Sequence, residues 1–145
     1  MDSEAVLRLV VEHDVPAQMR DGTMLRADIY RPDGDGPYPV LLTRLPYGKD
    51  VFRHPGLDPL RGAMRDYIVV VQDVRGRFRS EGKWTPFQQE FDDGYDSVVW
   101  AASLPGSDGR VAMFGGSYLG MTQWSAAVTS PPGLVAMAPI ISAGN

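Results

Sequence analysis

Short runs of apolar residues alternate along this chain with stretches rich in glycine, proline and charge. Residues 7–11 and 25–30 flank Asp21-Gly22, a pair that tolerates the positive φ angles of a tight turn, so they predict two antiparallel strands. Four later runs, 40–42, 68–71, 111–114 and 134–138, are almost purely apolar. That pattern predicts strands covered on both faces in a parallel sheet. A helix is expected from Phe91 or Asp92, where Tyr95, Val98, Val99 and Ala102 fall at i, i+3, i+4 and i+7 and Pro105-Gly106 ends the pattern. A second is expected over about 118–129, with Met121, Trp124, Ser125 and Val128 on one side and Pro131-Pro132-Gly133 behind it. Strands alternating with helices predict an α/β fold: a mostly parallel sheet that opens with an antiparallel hairpin.

The 145 residues suit one domain, but charge is distributed unevenly along them. Arg110 is the last charged residue, and 111–145 carries none. A terminal helix and strand normally keep a polar face, so this segment is expected to be covered by chain beyond Asn145, or else to drive self-association. Residues 1–145 therefore read as the N-terminal part of a larger catalytic domain. The net charge of −4 is spread without a basic stripe, which argues against nucleic acid and against a polybasic membrane patch. With no cysteine, thiol catalysis and Cys-based zinc sites are excluded. The opening Met1-Asp2-Ser3-Glu4 has no basic-then-apolar leader and no apolar run is long enough to span a bilayer, so a cytoplasmic location is expected.

The clearest chemistry lies in Val111-Ala112-Met113-Phe114-Gly115-Gly116-Ser117-Tyr118-Leu119-Gly120. Here an apolar strand passes through small residues and a serine into a helix, the setting of a nucleophile elbow. The turn would project the Ser117 hydroxyl from the C-terminal edge of the sheet. The helix behind it would supply backbone N–H groups for an oxyanion, that of Tyr118 first. The second glycine comes one position later than in Gly-x-Ser-x-Gly. The competing reading is a glycine-rich turn whose serine caps the helix.

Four stretches together resemble the cocaine esterase family of bacterial acyl hydrolases, which shares its fold with X-Pro dipeptidyl-peptidases. They are residues 15–32, residues 40–49 around Pro46-Tyr47, Gln72-Asp73-Val74-Arg75-Gly76 with Ser80-Glu81-Gly82, and the elbow continuing into Met121-Thr122-Gln123-Trp124. The resemblance implies an α/β-hydrolase fold and a serine hydrolase that cleaves ester or amide bonds through an acyl-serine intermediate. By the same resemblance Ser117 is the nucleophile, the Tyr118 N–H one oxyanion donor and the Tyr47 hydroxyl the other. No cofactor and no metal are implied. The substrate expected is a small-molecule ester or a peptide.

Asp73 and Arg75 read as structural, able to hold a loop by pairing with backbone groups or with each other. Asp92, Asp93 and Asp96 read as the solvated N-terminal face of a helix. Trp84, Trp100 and Trp124 read as packing residues, Trp84 with least support because it lies in a loop. In α/β-hydrolases the triad runs serine, acid, histidine, yet after Ser117 the sequence has no Asp, Glu or His. His13 and His54, the two histidines, precede the elbow and read as surface or loop residues. The resemblance places acid and base beyond Asn145, with the remaining strands, a helical cap and a C-terminal jelly-roll domain. The isolated chain is expected to be inactive. Alternatives are an X-Pro dipeptidyl-peptidase-type activity and a non-catalytic interaction module.

Overall fold

The computed structural model describes residues 6–54 and 56–143. Six strands form one sheet: β1 (Leu9–Gln18), β2 (Met24–Pro32), β3 (Tyr38–Leu45), β4 (Ile68–Asp73), β5 (Ser107–Gly116) and β6 (Leu134–Ile140). Three α-helices are interspersed among the described residues: α1 (Pro59–Ala63), α2 (Glu90–Ala102) and α3 (Tyr118–Ala127). The order across the sheet is β1-β2-β4-β3-β5-β6. β1 pairs antiparallel with β2 and β2 with β4, whereas β3 with β4, β3 with β5 and β5 with β6 are parallel. This is the expected α/β sheet with an antiparallel start. Every predicted strand is present and longer, because polar residues at the ends pair as readily as the apolar centre, although the first begins at Leu9 and leaves residues 7 and 8 outside it. β1 in particular runs on through His13 to Gln18, so His13 is a strand and not a loop residue, and the strand absorbs a bulge between Glu12 and Val15.

The apolar runs of β3, β4 and β5 are explained by burial on both faces; that of β6 is not, because β6 is the edge strand of the described sheet and every one of its residues is half-buried or exposed, against the expectation for 134–138. Along β4 the side chains alternate sides: Ile68 and Val70 join Val40, Leu42, Val111 and Met113 beneath α2 and α3, while Val69 and Val71 pack with Phe114, Leu119 and Leu45 on the other face.

The helices depart from their expected faces. On α2 the buried positions are Glu90, Asp93, Gly94, Ser97, Val98 and Ala101, while Val99 is exposed. The stripe is rotated because polar residues are buried in pairs. Asp93, expected to be solvated, is buried beneath the Arg75 guanidinium, which grips both its oxygens (2.7 and 2.8 Å) and also reaches Asp21 and Thr23. On α3 the buried face is Leu119, Thr122, Gln123 and Ala126, with Ser125 the one predicted position among the buried residues. Val128 is exposed and Trp124 is 38% exposed, so Trp124 is not a core residue. Gln123 explains the switch: its amide donates to the Gly115 and Leu119 carbonyls and accepts the Ala138 N–H, binding α3 to β5 and β6.

A second polar core joins β3, β4 and α2. The fully buried Arg44 donates to Glu90 Oε2 and Gln72 Oε1, both at 2.6 Å, and Ser97 donates to the same Gln72 oxygen. Glu90→Gln would leave the Arg44 guanidinium buried without its counter-charge. A loss of about 3 kcal/mol or more is expected from a urea unfolding curve.

The two edges of the sheet differ. β1 is bulged and carries Glu12, His13 and Asp14, features that discourage edge pairing. β6 carries no charge and exposes Val135 and Ile140, followed by Ile141 at 93% exposure.

Candidate active site

β5 ends at Gly116 and α3 begins at Tyr118, so the whole change of direction falls on Ser117. Its backbone takes φ 56 and ψ −123, a conformation that costs a non-glycine residue on the order of 1–3 kcal/mol. The turn is closed by the Ser117 N–H donating to the Ile140 carbonyl (2.9 Å) and by the Ser117 carbonyl accepting from Gly120 and Met121. Small neighbours are required here. A Cβ at Gly115 would lie 2.5 Å from that of Leu119 and 3.1 Å from Thr43 Oγ1, and one at Gly120 would lie 2.5 Å from Ser142 Cβ. The late second glycine thus has its own reason, the approach of α3 to the chain after β6.

Ser117 is exposed, between a half-buried Gly116 and a buried Tyr118, and its side chain makes no capping bond to α3. The helix-capping alternative therefore fails. The first N–H groups of the helix, Tyr118 and Leu119, lack intrahelical acceptors by position, which leaves donors beside the serine. The Tyr118 side chain points away from that work. Its hydroxyl accepts from the Phe87 N–H (3.1 Å) and donates to Glu90 Oε1 (3.4 Å), linking the elbow to the Arg44 core. Burial, with the Glu90 carboxylate beside it, holds this phenol above its ordinary pKa.

Tyr47 follows β3 and is 56% exposed. It lines two cavities that Ser117 also lines. One, of about 520 Å³, is walled by Leu45, Phe52, Leu119 and Ile140; the other, of about 440 Å³, by Phe87, Met121 and Ser142. The three residues singled out from sequence, Tyr47, Ser117 and Tyr118, are thus gathered at one place.

Asp73 and Arg75 do not pair with each other. Asp73 accepts the backbone N–H groups of Lys49 (2.8 Å) and Arg79 (3.1 Å), and its burial raises its pKa against the effect of these bonds. Sequence reasoning missed Lys49. Its ammonium is 1% exposed among Asp14, Asp28 and Asp50, at 2.6, 2.7 and 3.1 Å. A lysine next to an exposed aspartate gives no sequence signal of burial, because its two closer partners, Asp14 and Asp28, lie on β1 and β2.

The histidines fall on opposite sides of the question. His13 pairs with Asp28 (3.2 Å) on β1, four strands from β5 and so roughly 20 Å away at about 4.8 Å per strand. His54 lines the larger cavity with Ser117, stacked on Phe52 and edge-on to Phe114. Its Nδ1 accepts the Gly56 N–H, a bond that in the neutral ring places the proton on Nε2. Held in this way, neither nitrogen can take a proton from serine. Among the described residues no three His, Asp or Glu side chains converge as metal ligands, and no helix is long and apolar enough to cross a membrane.

The chain is similar to known hydrolases over nearly its whole length. It is 46% identical over 138 residues to the cocaine esterase of Rhodococcus sp. (strain MB1 Bresler), covering 93% of this chain and 24% of that enzyme. It superposes with a TM-score of 0.81 on a CocE/NonD family hydrolase from Staphylococcus aureus, at 33% identity, covering 89% of this chain and 27% of that one. An aminopeptidase from a marine-sediment Thaumarchaeota archaeon superposes at 0.79 with 28% identity, covering 99% of this chain and 28% of that one. The chain spans about a quarter of the length of these relatives. The family model X-Pro dipeptidyl-peptidase (S15 family) matches residues 21–145, and on that match the chain belongs to this family of α/β-hydrolase fold.

Proposed function

We propose that this chain is the nucleophile-bearing part of a serine hydrolase that cleaves acyl esters. The observation that carries the reading is Ser117 itself, held at φ 56 between β5 and α3, exposed and free of any capping role. Strain of this kind persists only where the surrounding structure imposes it, and it clusters at sites of chemistry. In the reaction, Ser117 Oγ attacks the acyl carbon and gives up its proton to a base. The carbonyl oxygen becomes an oxyanion held by the Tyr118 N–H and the Tyr47 hydroxyl, and the alcohol leaves with a proton returned by the base. Water then repeats the sequence on the acyl-serine. Two cavities meeting at Ser117 and Tyr47 suit the two halves of an ester.

The base and the acid belong, in this reading, to chain beyond residue 145, which would also cover β6. A cytoplasmic location is carried as part of the same proposal. The peptidase reading is favoured by the family and by the aminopeptidase relative, but it needs a group to hold a free amine. That group, like the base and the acid, would come in this reading from chain beyond residue 145, and the 46% identity to a cocaine esterase favours the ester.

Tyr47→Phe in the full-length protein tests the oxyanion assignment. Removing one such donor typically costs about 10²–10³ in kcat, with KM little changed because the bond strengthens mainly in the transition state. Steady-state hydrolysis of a p-nitrophenyl ester measures both, and an unchanged kcat would remove Tyr47 from the mechanism.

A further inference from the structure

The Asp73-Val74-Arg75-Gly76 segment takes no part in the chemistry just proposed, yet its first residue reaches the loop that carries Tyr47. Within residues 45–49 only Tyr47 is exposed; Leu45, Pro46, Gly48 and Lys49 are buried. The loop is fixed on both sides of the tyrosine. Before it, the Leu45 carbonyl accepts from the Val74 N–H and the Pro46 carbonyl from Arg77 Nε, both at 3.0 Å. After it, the Lys49 N–H donates to Asp73 Oδ1 while its ammonium is enclosed by Asp14, Asp28 and Asp50. The second oxygen of Asp73 takes the Arg79 N–H, so one buried carboxylate joins the Tyr47 loop to the loop following β4.

We propose that Asp73 and Lys49 are positioning residues, which hold the backbone so that the exposed Tyr47 side chain stands over Ser117. This inference rests on the reading of Tyr47 as an oxyanion donor. Such a donor is effective only if it is in place before charge develops, and a displacement of about 1 Å can cost about 10²-fold. An exposed tyrosine has few side-chain contacts to place it, so its position comes from the backbone beneath. The charges assembled around Lys49 and the two N–H groups on Asp73 supply that rigidity from three strands, β1, β2 and β4.

The test is a double-mutant cycle in the full-length protein. Asp73→Asn keeps the shape but offers one carbonyl oxygen where two acceptors stood, so one of the two N–H groups must face the new NH₂. The expected result is a fall in kcat of between about ten- and a hundredfold, with KM within about twofold. In the Tyr47→Phe background the same substitution should change kcat by less than about twofold, because the group it positions is gone. Lys49→Met combined with Asp28→Asn, which avoids stranding a buried carboxylate, should behave alike and carries the test if Asp73→Asn does not fold. A penalty of undiminished size in the Tyr47→Phe background would overturn the inference, since it would show a general structural effect. A slow Tyr47→Phe enzyme beside an unaffected Asp73→Asn enzyme would overturn the inference alone. A Tyr47→Phe enzyme of wild-type kcat would remove the oxyanion reading first, and this inference with it.

Discussion

Replacing Ser117 by alanine in the full-length protein is expected to lower kcat for an ester substrate by about 10⁶-fold, the scale seen when the nucleophile of a serine hydrolase is removed. The size follows from the division of labour at the elbow. Ser117 supplies the atom that forms the covalent intermediate, and no other exposed hydroxyl stands at the start of α3 with backbone donors beside it. What remains is stabilisation of the oxyanion by Tyr47 and the Tyr118 N–H, which can still speed attack by water by about 10³–10⁴-fold over the uncatalysed reaction. Alanine accepts the backbone angles less readily than glycine but no worse than serine, so the fold should persist. Thermal unfolding of the variant checks this, because unfolding would imitate the effect. A variant that keeps more than about one hundredth of the wild-type kcat would show that hydrolysis does not pass through Ser117.

The second large effect is expected from chain 1–145 on its own. It should hydrolyse a p-nitrophenyl ester no faster than its Ser117→Ala variant, although the serine and both oxyanion donors are present. A serine hydroxyl is a weak nucleophile near neutral pH unless an imidazole takes its proton. His13 is held by Asp28 on the far side of the sheet. His54 shares the cavity but has its Nδ1 occupied by the Gly56 N–H. The exposed apolar side chains along β6 and after it, Val135, Ile140 and Ile141, add a tendency to self-associate, which light scattering would detect. Turnover by the isolated chain that disappears in Ser117→Ala would contradict the account. It would mean that His54, after a change of tautomer and rotamer, or a second copy of the chain supplies the base.

The strands and the elbow were legible in the sequence because each rests on a local rule. Apolar runs of three to five residues mark the strands of the parallel part of the sheet, and a serine among glycines between a strand and a helix marks a turn that needs small neighbours. The helix faces were not legible, because periodicity arguments treat apolar as inside. That equation fails on α2, where Glu90 and Asp93 are buried against Arg44 and Arg75, and on α3, where Gln123 lies inside and Val128 outside. The arginine partners on α2 sit 18 and 46 residues away, and Gln123 is held by carbonyls 4 and 8 residues back and by the Ala138 N–H 15 residues on, polar contacts that apolar periodicity does not register. Tyr47 stood out only through resemblance to a family. As a residue it is an exposed aromatic in a loop, and its proximity to Ser117 comes from β3 and β5 lying side by side in the sheet.

The most direct test of the central assignment is to identify the residue that a fluorophosphonate modifies in the full-length protein. Mass spectrometry of the digested adduct should find one phosphonylated peptide, carrying the label on Ser117, with loss of labelling and of hydrolysis together when Ser117 becomes alanine. A label on another residue, or full hydrolysis with Ser117 unmodified by excess reagent, would contradict the account.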